Sequence, residues 1–285
     1  GKSHQIQDAV AVGAHAGESA QGSQAIAIGY QAGEQTQGSQ AISIGRFAAQ
    51  QSQGFLAIAI GSETGLISQQ ENAIAIGHKA GRQKQNNVSI AIGEFAGYTQ
   101  QDAYSIAVGS GAGKSNQGTQ GMAFGLNAGG SGQGDFCQAI GGDAGRYGQL
   151  SYAIALGQSS GFSNQGVQSV AIGRAAGGSD QGTSGVAIGA SAGFSLQGES
   201  GVAIGYRSGR LSQNNHALSI GYASGESQQG SSSVAIGYEA GKTAQNTLAV
   251  AIGVNAGFIG QYYGGVAIGS NSGKSNQGSH SVAIG

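Results

Sequence analysis

Cysteine is almost missing from this sequence. Cys137 stands alone among 285 residues, which excludes an internal disulfide framework and says nothing of the redox compartment. Proline and tryptophan are absent. Charge is scarce too: 9% of residues carry it, and the formal net charge is -1. That is too little for a nucleic-acid binder that works by neutralising phosphates. Apolar runs reach only about five residues, so no segment is long enough to cross a membrane as a helix. Glycine, by contrast, is abundant at 57 residues, without the third-residue period of collagen.

What is present is a repeat, and it governs every other reading. Gly13 recurs as Gly29, Gly45, Gly61 and onward every 16 residues to Gly285, with no insertion. Taking this glycine as position one, position five is also glycine throughout, except at Ala49. Position nine is always glutamine, from Gln5 and Gln21 to Gln277. Position ten is mostly Gly, Asn or Asp. Positions thirteen to sixteen alternate small and branched, as in Ala25-Ile26-Ala27-Ile28. Such alternation favours a strand. Glycine at one and five, and Gly, Asn or Asp at ten, mark bends that take positive φ. A 16-residue period is too short for helix pairs and suits one coil of a solenoid. The expected fold is therefore all-β: a parallel β-solenoid over residues 1–285, a single continuous stack of about eighteen coils. Both ends fall inside the repeat, so the chain reads as a segment of a longer protein or as a unit that stacks end to end.

Side-chain roles follow from position. The branched residues at fourteen and sixteen, such as Ile26, Ile42, Ile58 and Ile74, are expected to stack as interior ladders, faced by the small residue at position four. Glutamines Gln21, Gln37, Gln53, Gln69, Gln85, Gln101, Gln117 and Gln133 are expected to form a second interior ladder. Each amide both donates and accepts along the stack. The other strand face, at thirteen and fifteen, is smooth and barely polar. A strand apolar on both faces is normally buried on both. Ala57, Ala59, Ala73 and Ala75 are accordingly expected to form an association face for another copy of the chain. Between Gly121 and Tyr152 the pattern loosens, with Met122 and Phe124 for the usual aliphatics and Gln138 where other coils have one. This stretch is expected to be the irregular one, Phe124 compensating for Gln138.

The motif Ser-Val-Ala-Ile-Gly at Ser169 to Gly173, Ser233 to Gly237 and Ser281 to Gly285 resembles the head repeat of YadA-like trimeric autotransporter adhesins. The longer pattern from Ala25 to Gly38 is similar to repeats in fibre proteins of large DNA viruses and phages. The resemblance implies left-handed β-rolls that assemble as trimers in an extracellular, cell-surface or virion-surface fibre.

Chemistry finds little support. Gly113-Lys114-Ser115 and Gly273-Lys274-Ser275 lack the earlier glycine of a phosphate-binding loop, where Val108 and Ile268 stand. No two of the five histidines, His4, His15, His78, His216 and His280, share a position in adjacent coils, so they converge on no metal. Asp143 has no partner ladder of the calcium-roll kind. Cys137, at a small position, reads as a buried thiol. No catalytic residue, cofactor or metal is expected. Tyr206, Tyr222 and Tyr238 fill position two in successive coils. They read as a stack that stabilises the sheet face or as a platform for a glycan or a host surface. The reading is a structural or adhesive fibre that self-associates into a rod or filament, as a trimer or end to end, and is not an enzyme. The alternatives are an ice-binding solenoid and the receptor-binding fibre of a virus or phage.

Overall fold

The computed structural model describes residues 8–285, which form a parallel β-solenoid of about 17 coils of 16 residues each. Gln5 and His4 lie outside the described residues. The chain divides into two compact units, one ending at Asp143 and the other spanning Ala144–Gly285. The same coil builds both. In the first unit, positions fourteen to sixteen form strands from Val10–Val12 to Gln138–Ile140, and position nine ends strands from Ala20–Gln21 to Ser131–Gln133. In the second, the corresponding series run from Ile154–Leu156 to Val282–Ile284 and from Tyr147–Gln149 to Ile259–Gln261.

Coils stack in perfect register. Ile58, Ala59 and Ile60 pair with Ile74, Ala75 and Ile76, and Gln69 pairs with Gln85. The turns are bonded from coil to coil as well. Gly61 N–H donates to Ile44 O at 2.8 Å, Glu63 N–H to Arg46 O at 2.9 Å, and Gly65 N–H to Ala80 O at 3.0 Å. Turn backbone that bonds axially leaves no free loop in which an extra residue could bulge. This is why the period admits no insertion.

Glycine at position one is held by two constraints. Gly109 has φ +128°, and a Cβ there would stand 2.5 Å from the carbonyl oxygen of Gly125 in the next coil. At position five, Gly113 has φ +51°, and its Cβ would meet Gln117 Oε1 at 2.5 Å. Ala49 keeps the same backbone, at φ 46°. Position ten differs from expectation. Its glycines, such as Gly22 and Gly38, do not take positive φ; a Cβ on Gly22 would stand 2.4 Å from Ser39 N. Close approach of the next coil, rather than a left-handed bend, selects glycine there. The further left-handed positions are three, eight and twelve, and ordinary side chains occupy them: Phe95 at φ 56°, Lys84 at φ 53°, Leu56 at φ 54°. An isolated L-residue pays roughly 1–2 kcal/mol for this conformation. Axial backbone bonds, such as Leu56 N–H to Ser39 O at 3.1 Å, hold it in place.

The interior reverses the expected roles of the two strand faces. Ala57, Ala59, Ala73 and Ala75 have no solvent exposure and lie inside their own coils, so they form no association face. Ala171, Ala187 and Ala203 at position fifteen pack against Ala176 and Ala192 at position four. The branched residues at fourteen and sixteen point outward and stay partly exposed, as Ile60 does at 36%. The predicted interior Ile and Val ladders are thus ladders on the outer surface. The reason is width: each coil encloses two facing strands of two or three residues, and the space between them is spanned by an alanine methyl and one glutamine side chain. An isoleucine pointing inward would meet the opposite strand.

The glutamine ladder is interior, as expected. Gln21, Gln37, Gln53, Gln69, Gln85, Gln101, Gln117 and Gln133 are all buried, and the largest fully buried side chains of the described residues are glutamines. Each amide crosses the coil. Gln69 Nε2 lies 2.8 Å from Ile58 O, 3.1 Å from Ala73 O and 3.1 Å from Gln85 Oε1, so its two N–H groups serve three acceptors. The amide-to-amide series runs from Gln53 to Gln133 in the first unit and from Gln181 to Gln277 in the second. The Oε1 atoms of Gln165 and Gln181 are buried without a partner, which separates those two rungs. Where serine replaces alanine at position fifteen, its hydroxyl joins the ladder. Gln37 Nε2 reaches Ser43 Oγ at 3.1 Å, and Ser43 Oγ donates to Gln53 Oε1 at 2.7 Å. Ser219 repeats the relay between Gln213 and Gln229.

The stretch expected to be irregular keeps register where Met122 and Phe124 pair with Gln138 and Ile140. Position fourteen faces outward, so a polar Gln138 costs little and Phe124 has no hole to fill.

Candidate functional surfaces

With alanine and glutamine inside, the outer face of positions fourteen and sixteen becomes the main apolar surface of each unit. Register pairing aligns Ile42, Ile58, Ile74, Ile90 and Ile106 in one rank and Ile44, Ile60, Ile76 and Ile92 in another. Ile92 and Ile140 are 37% and 42% exposed in the first unit, and Ile252 and Ile268 are 36% and 37% exposed in the second. Single exposed aliphatics are ordinary, but contiguous ranks are not. Monomeric soluble proteins rarely expose apolar patches of more than a few hundred Å².

The tyrosine column sits at position two. Tyr206 and Tyr222 stack with centroids 5.3 Å apart and planes at 24°, Tyr222 and Tyr238 at 5.0 Å and 7°. These spacings match the coil rise of ~4.8 Å. Each ring therefore covers its neighbour's face, and the middle ring has neither face free. The Arg207 guanidinium lies 5.3 Å from the Tyr206 centroid. A sugar needs an open ring face, so this geometry suits the stabilising stack rather than a glycan platform. Tyr222→Ala is expected to lower stability by about 1 kcal/mol, from two lost ring contacts. A urea melt unchanged from the parent would show that the stack contributes nothing.

Beside it lies a charge network. Glu226 approaches Arg207 at 3.9 Å and Lys242 at 3.8 Å, and Lys242 Nζ donates to Glu239 at 2.6 Å. The hydrogen bond to Glu239 holds the Lys242 ammonium above the usual lysine range. Exposed pairs of this kind contribute little to stability. No protein-family model matches this chain, and no curated protein matches it.

The remaining candidates are scattered. Among the described residues no three His, Cys, Asp or Glu side chains gather to hold a metal ion. His15 pairs with Glu18 at 2.6 Å and His78 with Glu94 at 3.5 Å, both on the surface, and His216 and His280 are exposed. Cys137 is buried, its Sγ 3.7 Å from Asp135 O. Sequence reasoning missed the aliphatic face as a surface because it equated branched residues with the interior. The signal was present nonetheless: position fifteen holds only alanine or serine in every coil, a restriction that an outward position would not need.

Proposed function

We propose that this chain is a structural repeat of an extracellular fibre, on a cell or virion surface, and that it associates laterally with copies of itself through the aliphatic face. The observation that carries this reading is the double rank of partly exposed aliphatic side chains along each unit, interrupted in the first by Met122, Phe124 and the polar Gln138 and continuous in the second. Two such side chains per coil leave on the order of 100 Å² of apolar surface, so eight coils offer about 800 Å², the share one partner contributes to a standard interface. Small-residue cores and axial backbone bonding supply a stiff scaffold without chemistry of its own. The turns, with their varied side chains at positions two, three and six, face away from this interface and are the surface available for attachment. The resemblance to trimeric adhesin heads supports a trimer as the assembly.

Sedimentation equilibrium tests the proposal. The parent is expected to sediment as an oligomer, and Ile74→Lys with Ile90→Lys as a monomer whose circular dichroism still shows β-structure. Glu71→Lys, in a turn, should leave the oligomer intact. A parent that is monomeric at high concentration would defeat the lateral-association reading.

A further inference from the structure

Tyrosine is the main readily oxidised side chain of this protein. There is no tryptophan, one methionine and one cysteine, and that Cys137 is buried. Tyr206, Tyr222 and Tyr238 meet one another ring to ring. Other tyrosines meet a different aromatic edge-on: Tyr98 with Phe95 at 67°, Tyr147 with Phe162 at 85° and Tyr263 with His280 at 70°.

Within the column the two contacts differ. Tyr222 and Tyr238 are 5.0 Å apart with planes at 7°, whereas Tyr206 and Tyr222 are 5.3 Å apart at 24°. Axial backbone bonds fix the closer pair on both sides. Gly237 N–H donates to Ile220 O at 2.9 Å, and Glu239 N–H donates to Tyr222 O at 2.8 Å. Two rings that leave the same position of successive coils and lie nearly parallel present their hydroxyls, and the ring carbons beside them, in the same order. Their faces are covered but their edges are not: Tyr222 is 44% exposed and Tyr238 50%. A one-electron oxidant in solution therefore reaches both phenols, and water takes up their protons.

We propose that Tyr222 and Tyr238 are a site of oxidative coupling, at which a peroxide-driven one-electron oxidant joins the two rings as dityrosine and staples two coils of the second unit. Each phenol gives up one electron and its hydroxyl proton, leaving two neutral phenoxyl radicals. A C–C bond forms between the ring carbons ortho to each oxygen. The hydrogen on each of those carbons then moves to the oxygen, which restores two phenols. The pair loses two hydrogens in all. One molecule of hydrogen peroxide takes up the two electrons and two protons and becomes two waters. Coil register supplies the proximity that radical pairing needs. The link closes a loop between residues 16 apart and constrains the unfolded chain as a disulfide does. The site lies outside the aliphatic face and does not rest on lateral association.

The test treats the dilute parent chain with hydrogen peroxide and a haem peroxidase. The chain is expected to lose the mass of two hydrogens and gain dityrosine fluorescence, while running at its own mass on a denaturing gel. Glutamate-specific cleavage at Glu199, Glu226 and Glu239 places Tyr222 and Tyr238 on separate fragments. Mass spectrometry should find fragments 200–226 and 227–239 joined. Tyr222→Phe keeps the stack but removes one phenol of the pair, and should abolish the joined fragments. Tyr206→Phe should leave them. The linked chain should unfold at a higher urea concentration than the untreated one. Equal coupling in Tyr222→Phe, or links between separate chains only, would overturn the site. A link confined to fragment 200–226, through Tyr206, would overturn the choice of pair. An unchanged urea midpoint in the linked chain would overturn the staple.

Discussion

Gly109→Ala should unfold its part of the solenoid, while Gly142→Ala should be silent. The two substitutions add the same methyl group to the same unit. At Gly109 the methyl would stand 2.5 Å from Gly125 O and 2.8 Å from Gly125 C, on a backbone at φ +128°. Both offending atoms belong to the main chain of the next coil, so no rotamer change relieves the contact. The coils would have to part locally. That stretches the bonds from Gly109 N–H to Ile92 O at 2.8 Å and from Gly125 N–H to Val108 O at 2.9 Å. Strain at a glycine-only φ adds about 1–3 kcal/mol, and the steric clash brings the expected loss to roughly 4–5 kcal/mol, the range reserved for specific structural damage. A Cβ on Gly142 meets nothing within 4 Å, and its φ is not positive. Its change should stay within about 0.5 kcal/mol. Thermal melts followed by circular dichroism compare them directly, and coincident curves would remove the close-stacking account of position one.

The second large effect concerns the interior amides. Gln117→Leu combined with Gln133→Leu keeps side-chain bulk but removes two rungs. Gln117 Nε2 lies 2.9 Å from Ile106 O and 3.1 Å from Gly121 O, and Gln133 Nε2 lies 3.0 Å from Met122 O. These bonds tie the glutamine strand to the aliphatic strand across the coil. Their loss also removes one of the three acceptors of Gln101 Nε2, at 3.1 Å, and leaves it Ile90 O at 2.8 Å and the longer contact to Ser105 O at 3.4 Å. At about 1–3 kcal/mol for each buried polar group left unpaired, the pair should lower stability by roughly 2–6 kcal/mol. Gln138→Leu, on the outer face, is the matched control and should shift the melting curve little. A double variant that melts with the parent would mean that leucine packs as well as the amide does, and that the ladder sets position without contributing stability.

Much of this was legible in the repeat. Period, parallel register and the buried glutamine rank follow from regularities that survive in every coil, because a fault at one coil is transmitted to the next. Gln117 could be read as interior from its invariance alone. The orientation of the strand faces could not. Ile58 and Ala59 alternate whichever of them is inside, and a strand pattern of period two is symmetric under that exchange. The habit of placing branched residues in the core chose wrongly for Ala57, Ala59, Ala73 and Ala75. The left-handed turns at positions three, eight and twelve were equally hidden, since Phe95, Lys84 and Leu56 carry no local mark of positive φ.

The sequence by itself determined that the chain is a stacked solenoid, since only identical coils in register demand a glycine, a glutamine and a strand at fixed intervals without a single insertion. The tertiary structure alone decided what lies inside. Two short strands closed by tight turns stand too near each other for isoleucine, so alanine and the crossing glutamine amide fill the interior and the aliphatic ranks are left on the surface. Distance between strands is a property of the closed coil, and no pattern along a single strand contains it.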